Sequence, residues 1–183
     1  TIDAQPARGI CGSGIIDIAA ALLKAGVVDS SGRMKTPEQK ENLQTSVADR
    51  LLLIDDQPLF NIAEAVSFTQ ADIRQVQLAK GAIRTGIDML MSEANLTAED
   101  LEDITLAGAF GYHLRPDSLA AIGLIPDKRA RKVRFAGNTS KTGCAMMLID
   151  ASLRKYLEEQ VQRVEHLPLA EKMSFQDLFI ENL

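Results

Sequence analysis

The feature that most constrains this chain is a pair of strand–Gly turn–helix units in its second half. In the first, Asp103-Ile104-Thr105-Leu106-Ala107 runs into Gly108-Ala109-Phe110-Gly111, and a helix begins around Pro116-Asp117-Ser118. In the second, Lys132-Val133-Arg134-Phe135-Ala136 ends in Gly137-Asn138, and a helix is predicted over Gly143 to Gln162. Short apolar runs bounded by glycine read as buried strands. Two such units in succession specify an α/β fold, with Ile104–Leu106 and Val133–Phe135 as parallel neighbours. Open α/β sheets place ligands at the carboxyl ends of strands, where glycine tolerates positive φ and lets a ligand approach the backbone. A tight strand-to-helix connection with no ligand would use the same residues, so the turn alone leaves both readings open.

A second glycine-bearing turn, Gly9-Ile10-Cys11-Gly12-Ser13-Gly14, precedes a helical face of Ile15, Ile18, Ala19, Leu22 and Leu23 that closes at Gly26. Free N–H groups and the helix dipole make Gly12, Ser13 and Gly14 a possible phosphate-proximal loop. The competing reading has Ser13 capping the helix while the glycines allow close packing. A dinucleotide fingerprint is excluded, because the third glycine would fall on Asp17. Further on, Arg50–Ile54, Leu59–Ala63 and Ala65–Phe68 read as a small antiparallel set, with Asp55 and Asp56 as turn formers.

The clearest helix is predicted over Gln70 to Glu93. Thr69 and Asp72 have capping-box spacing, and Ile73, Val76, Ile83, Ile87 and Leu90 recur at helical intervals. Gln77, Lys80 and Arg84 step by three and four, so they share one side of the helix. A solvated face is the plain reading of such residues. Gly81 and Gly86 are costly in mid-helix unless something packs closely on them. After the second helix, the tail reads as extended over His166–Leu169 and helical from Phe175.

Composition narrows the function classes. A net charge of -5 gives no attraction to nucleic acid or anionic lipid. No apolar run is long enough to span a membrane, and no signal peptide is visible, so a cytoplasmic protein is expected. The start at Thr1, without Met, reads as a cut edge. Cys11 and Cys144 lack the spacing and number to hold an iron–sulfur cluster, and a reduced, unpaired state is expected. His113 and His166 are too isolated to suggest a metal site.

Five blocks, in order, resemble a known family. They are Gly9–Asp17, Gln77–Arg84, Leu106–Gly111, Ile122–Pro126 and Ala136–Ala145. Together they resemble the C-terminal region of the reductive activators of corrinoid proteins, within the acetate kinase/sugar kinase/Hsp70/actin superfamily. The resemblance implies an α/β fold, the RNase-H-like second lobe of an actin-like ATPase in partial form, with long helices on a small mixed sheet. It implies a parent that uses ATP with Mg²⁺ to return an inactive cobalt(II) corrinoid protein of a methyltransferase system to cobalt(I). The parent would carry an N-terminal 2Fe-2S domain and a first lobe, both absent here. Residues 1–183 would then be a single fragment, most of the C-terminal lobe.

By the same resemblance, Gly108, Ala109, Phe110 and Gly111 would lie against the nucleotide, with Gln77, Lys80 and Arg84 flanking it from the long helix. Lys80 and Arg84 are expected to point toward the Gly108–Gly111 turn. No Asp-Gly-Thr phosphate loop is present, so the fragment alone is expected to be inactive. Two other readings stand beside this one. One is a lobe of an activator of another low-potential enzyme, of the 2-hydroxyacyl-CoA dehydratase type. The other is a partner-docking module, homodimeric or not, with a vestigial nucleotide loop. Nucleic-acid and membrane partners are not expected.

Overall fold

The structure is a computed structural model, and it describes every residue except 1–4, 110–112 and 127–132. Helix α1 (Gly12–Lys24) comes first, then a turn whose ends bridge at Val28 and Met34. A one-turn helix α2 (Thr45–Ala48) leads into three antiparallel strands, β1 (Leu51–Ile54), β2 (Gln57–Ala63) and β3 (Val66–Thr69), in that spatial order. Asp55 and Asp56 both take positive φ, 49° and 58°, and close a two-residue hairpin between Ile54 and Gln57. Left-handed φ at both loop residues matches the twist of the flanking strands. They are turn formers, as their sequence suggests.

Helix α3 (Gln70–Glu93) follows β3 without a loop. Thr69 Oγ1 accepts from the Asp72 N–H at 3.2 Å while Asp72 Oδ2 accepts from the Thr69 N–H at 2.8 Å, the expected capping box. Strand β4 (Ile104–Ala107) leads through the Gly108 turn to α4 (Pro116–Ala121), and β5 (Val133–Gly137) pairs parallel with β4. Ile104 lies opposite Val133 and Leu106 opposite Phe135, so the two neighbouring parallel strands are as expected.

One expected element is corrected. The single helix over Gly143–Gln162 is two, α5 (Thr139–Ile149) and α6 (Ser152–Val161). Asp150 is extended between them, and its carboxylate accepts from the Ser152 N–H (2.8 Å) and hydroxyl (2.7 Å). An Asp that bonds the backbone two residues on competes with the helix and starts a new one. The tail is irregular from residue 164 to 168, then forms a 3₁₀ turn at Leu169–Glu171 and helix α7 (Ser174–Glu181).

Helix α1 is the hub of the core. Leu22 packs with Val27, Val28, Met34, Leu51, Phe68 and Ile73 beneath the antiparallel sheet. Ala19 and Ala20 pack with Ile122, and Ile16 reaches the cluster of Leu119, Ala120 and Ile125 under β4 and β5. The Ser118 hydroxyl donates to Asp17 at 2.6 Å, which ties α4 to α1. On α3 the apolar periodicity is only half used: Ile73 is buried, but Ile83 and Leu90 are exposed. The buried positions of its second half are Gly81, Thr85 and Met89.

Candidate functional site

A cleft of about 300 Å³ lies between α1, the turn at residues 28–32, α3, the end of α4 and Leu183. Ala19, Leu23, Ile73, Val76 and Ile122 give it apolar walls, while Asp29, Gln77 and Lys80 bring polar groups to it. A concave, mostly apolar surface with a few convergent polar groups is the usual form of a small-molecule site, and this one is at the small end of the range.

The turn on one side is held by α3. Gln70 accepts from the Met34 N–H at 2.7 Å and donates to the Gly32 carbonyl at 2.8 Å. Gly32 has φ +78°, where a side chain is strained, and a Cβ there would sit 2.3 Å from the Gln77 amide and displace it. Gln77 itself is fully engaged. Its amide nitrogen donates to the carbonyls of Ser31 (3.1 Å) and Leu183 (3.3 Å), and its oxygen accepts from Arg74 (2.9 Å). Asp29 is likewise occupied by Ser31 and the Arg33 N–H, and the Ser31 hydroxyl is the main reason its carboxyl is held below the ordinary value.

Lys80 differs from both. It is half-buried in the cleft wall and has no hydrogen-bond or ion-pair partner among the described residues. Burial, and then the nearby Arg84 guanidinium, push its pKa below that of an ordinary lysine. An ammonium that pays desolvation without a counter-charge is stabilised by any anion or acceptor that enters. Arg84, one turn further along, is paired: Nε lies 2.9 Å from both Asp88 carboxylate oxygens, and Nη1 reaches the Gly123 carbonyl at 3.4 Å.

Gly123 is thus the point where both cations converge; a Cβ there would lie 3.9 Å from Lys80 Nζ. These contacts place both side chains at the end of α4; the turn toward which they were expected to point includes Phe110 and Gly111, which lie outside the described residues. Gly108 and Ala109 are not among the residues lining the cleft. Gly108 has φ +107° and donates its N–H to the Gly137 carbonyl at 2.8 Å, so the two Gly turns are coupled. Among the described residues no atom lies within 4 Å of where a Gly108 Cβ would stand.

Gly12, Ser13 and Gly14 form the first turn of α1. Ser13 is not the cap: Cys11 holds the N-cap position with no side-chain cap bond, and the Ser13 hydroxyl lies 3.5 Å from Cys11 Sγ. That hydroxyl is the leading cause of the thiol's lowered pKa. Gly14 is needed for packing, since a Cβ there would meet Ile10 at 2.9 Å. Ser13 is six residues, roughly 9 Å of helix, from the cleft residue Ala19.

Sequence reasoning did not single out Gly123, Asp88, Asn182 or Leu183 for this site. Gly123 lies within the Ile122–Pro126 block of the resemblance and carries no role of its own there. The glycines of α3 pointed correctly to a close neighbour: a Cβ on Gly81 would meet Leu183 at 3.1 Å and the Asn182 carbonyl at 3.2 Å, and one on Gly86 would meet Leu169 at 3.5 Å. That neighbour is the chain's own tail.

The comparisons with known proteins bear on the whole chain. The family described as the C-terminal domain of RACo, the ASKHA domain, matches residues 1–183. The corrinoid activation enzyme RamQ of Eubacterium limosum is 30% identical over 185 residues, covering 96% of this chain and 31% of that protein. The Co(II) methylated amine-specific corrinoid protein reductase of Methanosarcina barkeri is 24% identical over 176 residues, with 95% and 28% covered. A solved structure, the reductive activator for corrinoid, iron-sulfur protein, superposes with a TM-score of 0.84 at 29% identity, over 98% of this chain and 29% of that one. The chain spans about three-tenths of the length of these relatives.

Proposed function

Because the chain belongs to the family of the C-terminal ASKHA domain of RACo, we propose that it is the nucleotide-side lobe of an ATP-dependent reductive activator. In its complete form that activator would return an inactive cobalt(II) corrinoid protein of a methyltransferase system to cobalt(I). The names of three relatives refer to corrinoid proteins, which favours this reading over an activator of the 2-hydroxyacyl-CoA dehydratase type. The share of those relatives left uncovered would hold the first lobe and the 2Fe-2S domain. Its site of action would be the cytoplasm; no described helix is long and apolar enough to cross a membrane.

The observation that carries the nucleotide reading is Lys80, a half-buried ammonium in the wall of an apolar cleft, one turn from Arg84 and without a partner among the described residues. Such a site would take a flat apolar base against Ile73, Val76 and Ile122 and offer its cations to ribose or phosphate oxygens. The backbone at Gly108 would take a further part of the nucleotide, and Gly12, Ser13 and Gly14 would lie toward the phosphates. Among the described residues no three His, Cys, Asp or Glu side chains are placed to hold a metal ion. By the resemblance, the phosphate loops that would serve Mg²⁺ and the in-line geometry of phosphoryl transfer would come from the other lobe. The work of this lobe would be to bind and orient. ATP would favour one arrangement of the two lobes, and that bias would alter the complex with the corrinoid protein.

Isothermal titration of the full-length polypeptide with ATP tests the reading, and the expected result is saturable heat. A vestigial loop on a pure docking module would give none. The purified 183-residue chain is expected to show neither ATP hydrolysis nor corrinoid reduction; turnover above contaminant controls would overturn the fragment argument.

A further inference from the structure

The contacts of the C-terminal helix point to a role that the motifs of the chain do not carry. Along α3, the positions that touch α7 and the two residues after it are Gln77, Gly81, Thr85 and Asp88, a stripe stepping by four, four and three. The adjoining stripe, Ile73, Val76 and Lys80, faces the cleft. Neighbouring stripes of one helix thus seat the tail and line the cleft. The seat is deep: Thr85 is wholly buried, and a Cβ on Gly81 would press on Leu183, the Asn182 carbonyl and Phe179 at 3.1, 3.2 and 3.2 Å.

Asn182 closes this arrangement. Its amide nitrogen donates to the Asp88 carboxylate at 3.0 Å and to the Thr85 hydroxyl at 3.3 Å. Asp88 in turn accepts from Arg84 Nε through both oxygens, and Arg84 reaches Gly123. A lone Arg–Asp pair at i,i+4 is a weak constraint. With one carboxylate oxygen held by Asn182 at the end of α7, Asp88 has little freedom to turn and the guanidinium is laid toward Gly123. Building on the nucleotide reading, we propose that the segment after α7 belongs to the nucleotide site: Leu183 walls the cleft, and Asn182 is a positioning residue, acting on the nucleotide through Asp88 and Arg84.

The test is a double-mutant cycle on ATP affinity in the full-length polypeptide, with folding checked by thermal melting and near-ultraviolet circular dichroism. Asn182→Ala is expected to weaken ATP binding about three- to tenfold, the worth of one ordinary hydrogen bond and less than the loss of the guanidinium itself. In an Arg84→Ala background the same change is expected to do nothing more, because its effect passes through the guanidinium. If Asn182→Ala does not fold, Asp88→Asn, which keeps the shape and removes the charge, replaces it in the cycle with the same expected non-additivity. Losses that add in full would make the role merely structural and overturn the inference, as would a folded Asn182→Ala protein with unchanged affinity. A wild-type protein that binds no ATP would overturn the nucleotide reading itself, and this inference with it.

Discussion

Helices α1 and α5 start alike and end differently. Each leaves a Gly-bearing turn, each is built from small and aliphatic residues, and neither has an acid in its first turn. In α1 the apolar side is covered, with Ala19, Ala20 and Leu22 buried against elements before and behind it. In α5 nothing is buried, and Leu148 and Ile149 are 79% and 87% exposed. Helix α6 repeats the pattern, with Tyr156, Leu157 and Val161 exposed and no buried residue. The difference lies in the surroundings, because helical stability in proteins comes mostly from packing an apolar face on something else. The two described strands nearest in sequence, β4 and β5, make a parallel pair whose Thr105, Ala107, Arg134 and Ala136 are exposed. Parallel sheets normally have both faces covered. Under the proposed reading, the cover for β4, β5, α5 and α6 is the rest of the parent polypeptide.

The largest effect expected from this contrast is in the packed half. Phe68 is 2% exposed at the centre of the cluster around Leu22 and Ile73. Phe68→Ala is expected to destabilise the chain by about 3–5 kcal/mol, the range for a buried Phe reduced to a cavity. Chemical denaturation of the purified chain measures it. A loss below about 1 kcal/mol would mean that this half is as loosely held as the other, and the contrast would fail.

Next in size is the cleft. Replacing Lys80 or Arg84 by Ala in the full-length polypeptide is expected to weaken ATP binding roughly ten- to a hundredfold, since hydrogen bonds to charged groups contribute about 1.5–3 kcal/mol. Unchanged affinity in both variants would return these residues to a solvated face. The pH dependence sharpens the same point. Burial and Arg84 depress the Lys80 pKa, so in the free protein its charge opposes folding, and stability rises with pH between that depressed value and the ordinary lysine value. A bound anion favours the ammonium and reverses the sign. Affinity is then greatest below the depressed value, falls as pH climbs through the same window, and is accompanied there by proton uptake. Lys80→Met should flatten the profile. A wild-type profile that is already flat would show that no anionic group of the ligand meets Lys80.

These residues also show what the sequence made legible. The capping box at Thr69, the hairpin turn at Asp55-Asp56 and the strand pairing of Ile104 with Val133 follow from local rules, and each is in the structure. The seat of α7 does not follow from them, because apolar periodicity pointed to Ile83 and Leu90, which are exposed, while the seat is built from Gln77, Gly81, Thr85 and Asp88. Small and polar residues carry no periodic signal; only the two mid-helix glycines hinted at a neighbour, and they could not say which. The break at Asp150 was missed for a related reason. Its turn is made by one carboxylate, inside a run that otherwise favours helix.

The smallest effect sharpens the comparison most. In the purified chain Ile149→Ala removes a side chain that is already in water, so the expected change in stability is within about half a kcal/mol. Helix propensity even favours alanine slightly. In the full-length polypeptide the same residue should be covered, and its truncation should cost what a buried Ile costs, about 2–5 kcal/mol. Both quantities come from denaturation of the two proteins under one buffer condition, with the transition that contains this lobe identified by hydrogen exchange over α5. A large loss in the chain alone would mean that α5 finds its own partner within these residues. A negligible loss in both proteins would leave α5 exposed in the parent as well, and the idea that the rest of the polypeptide covers it would fail.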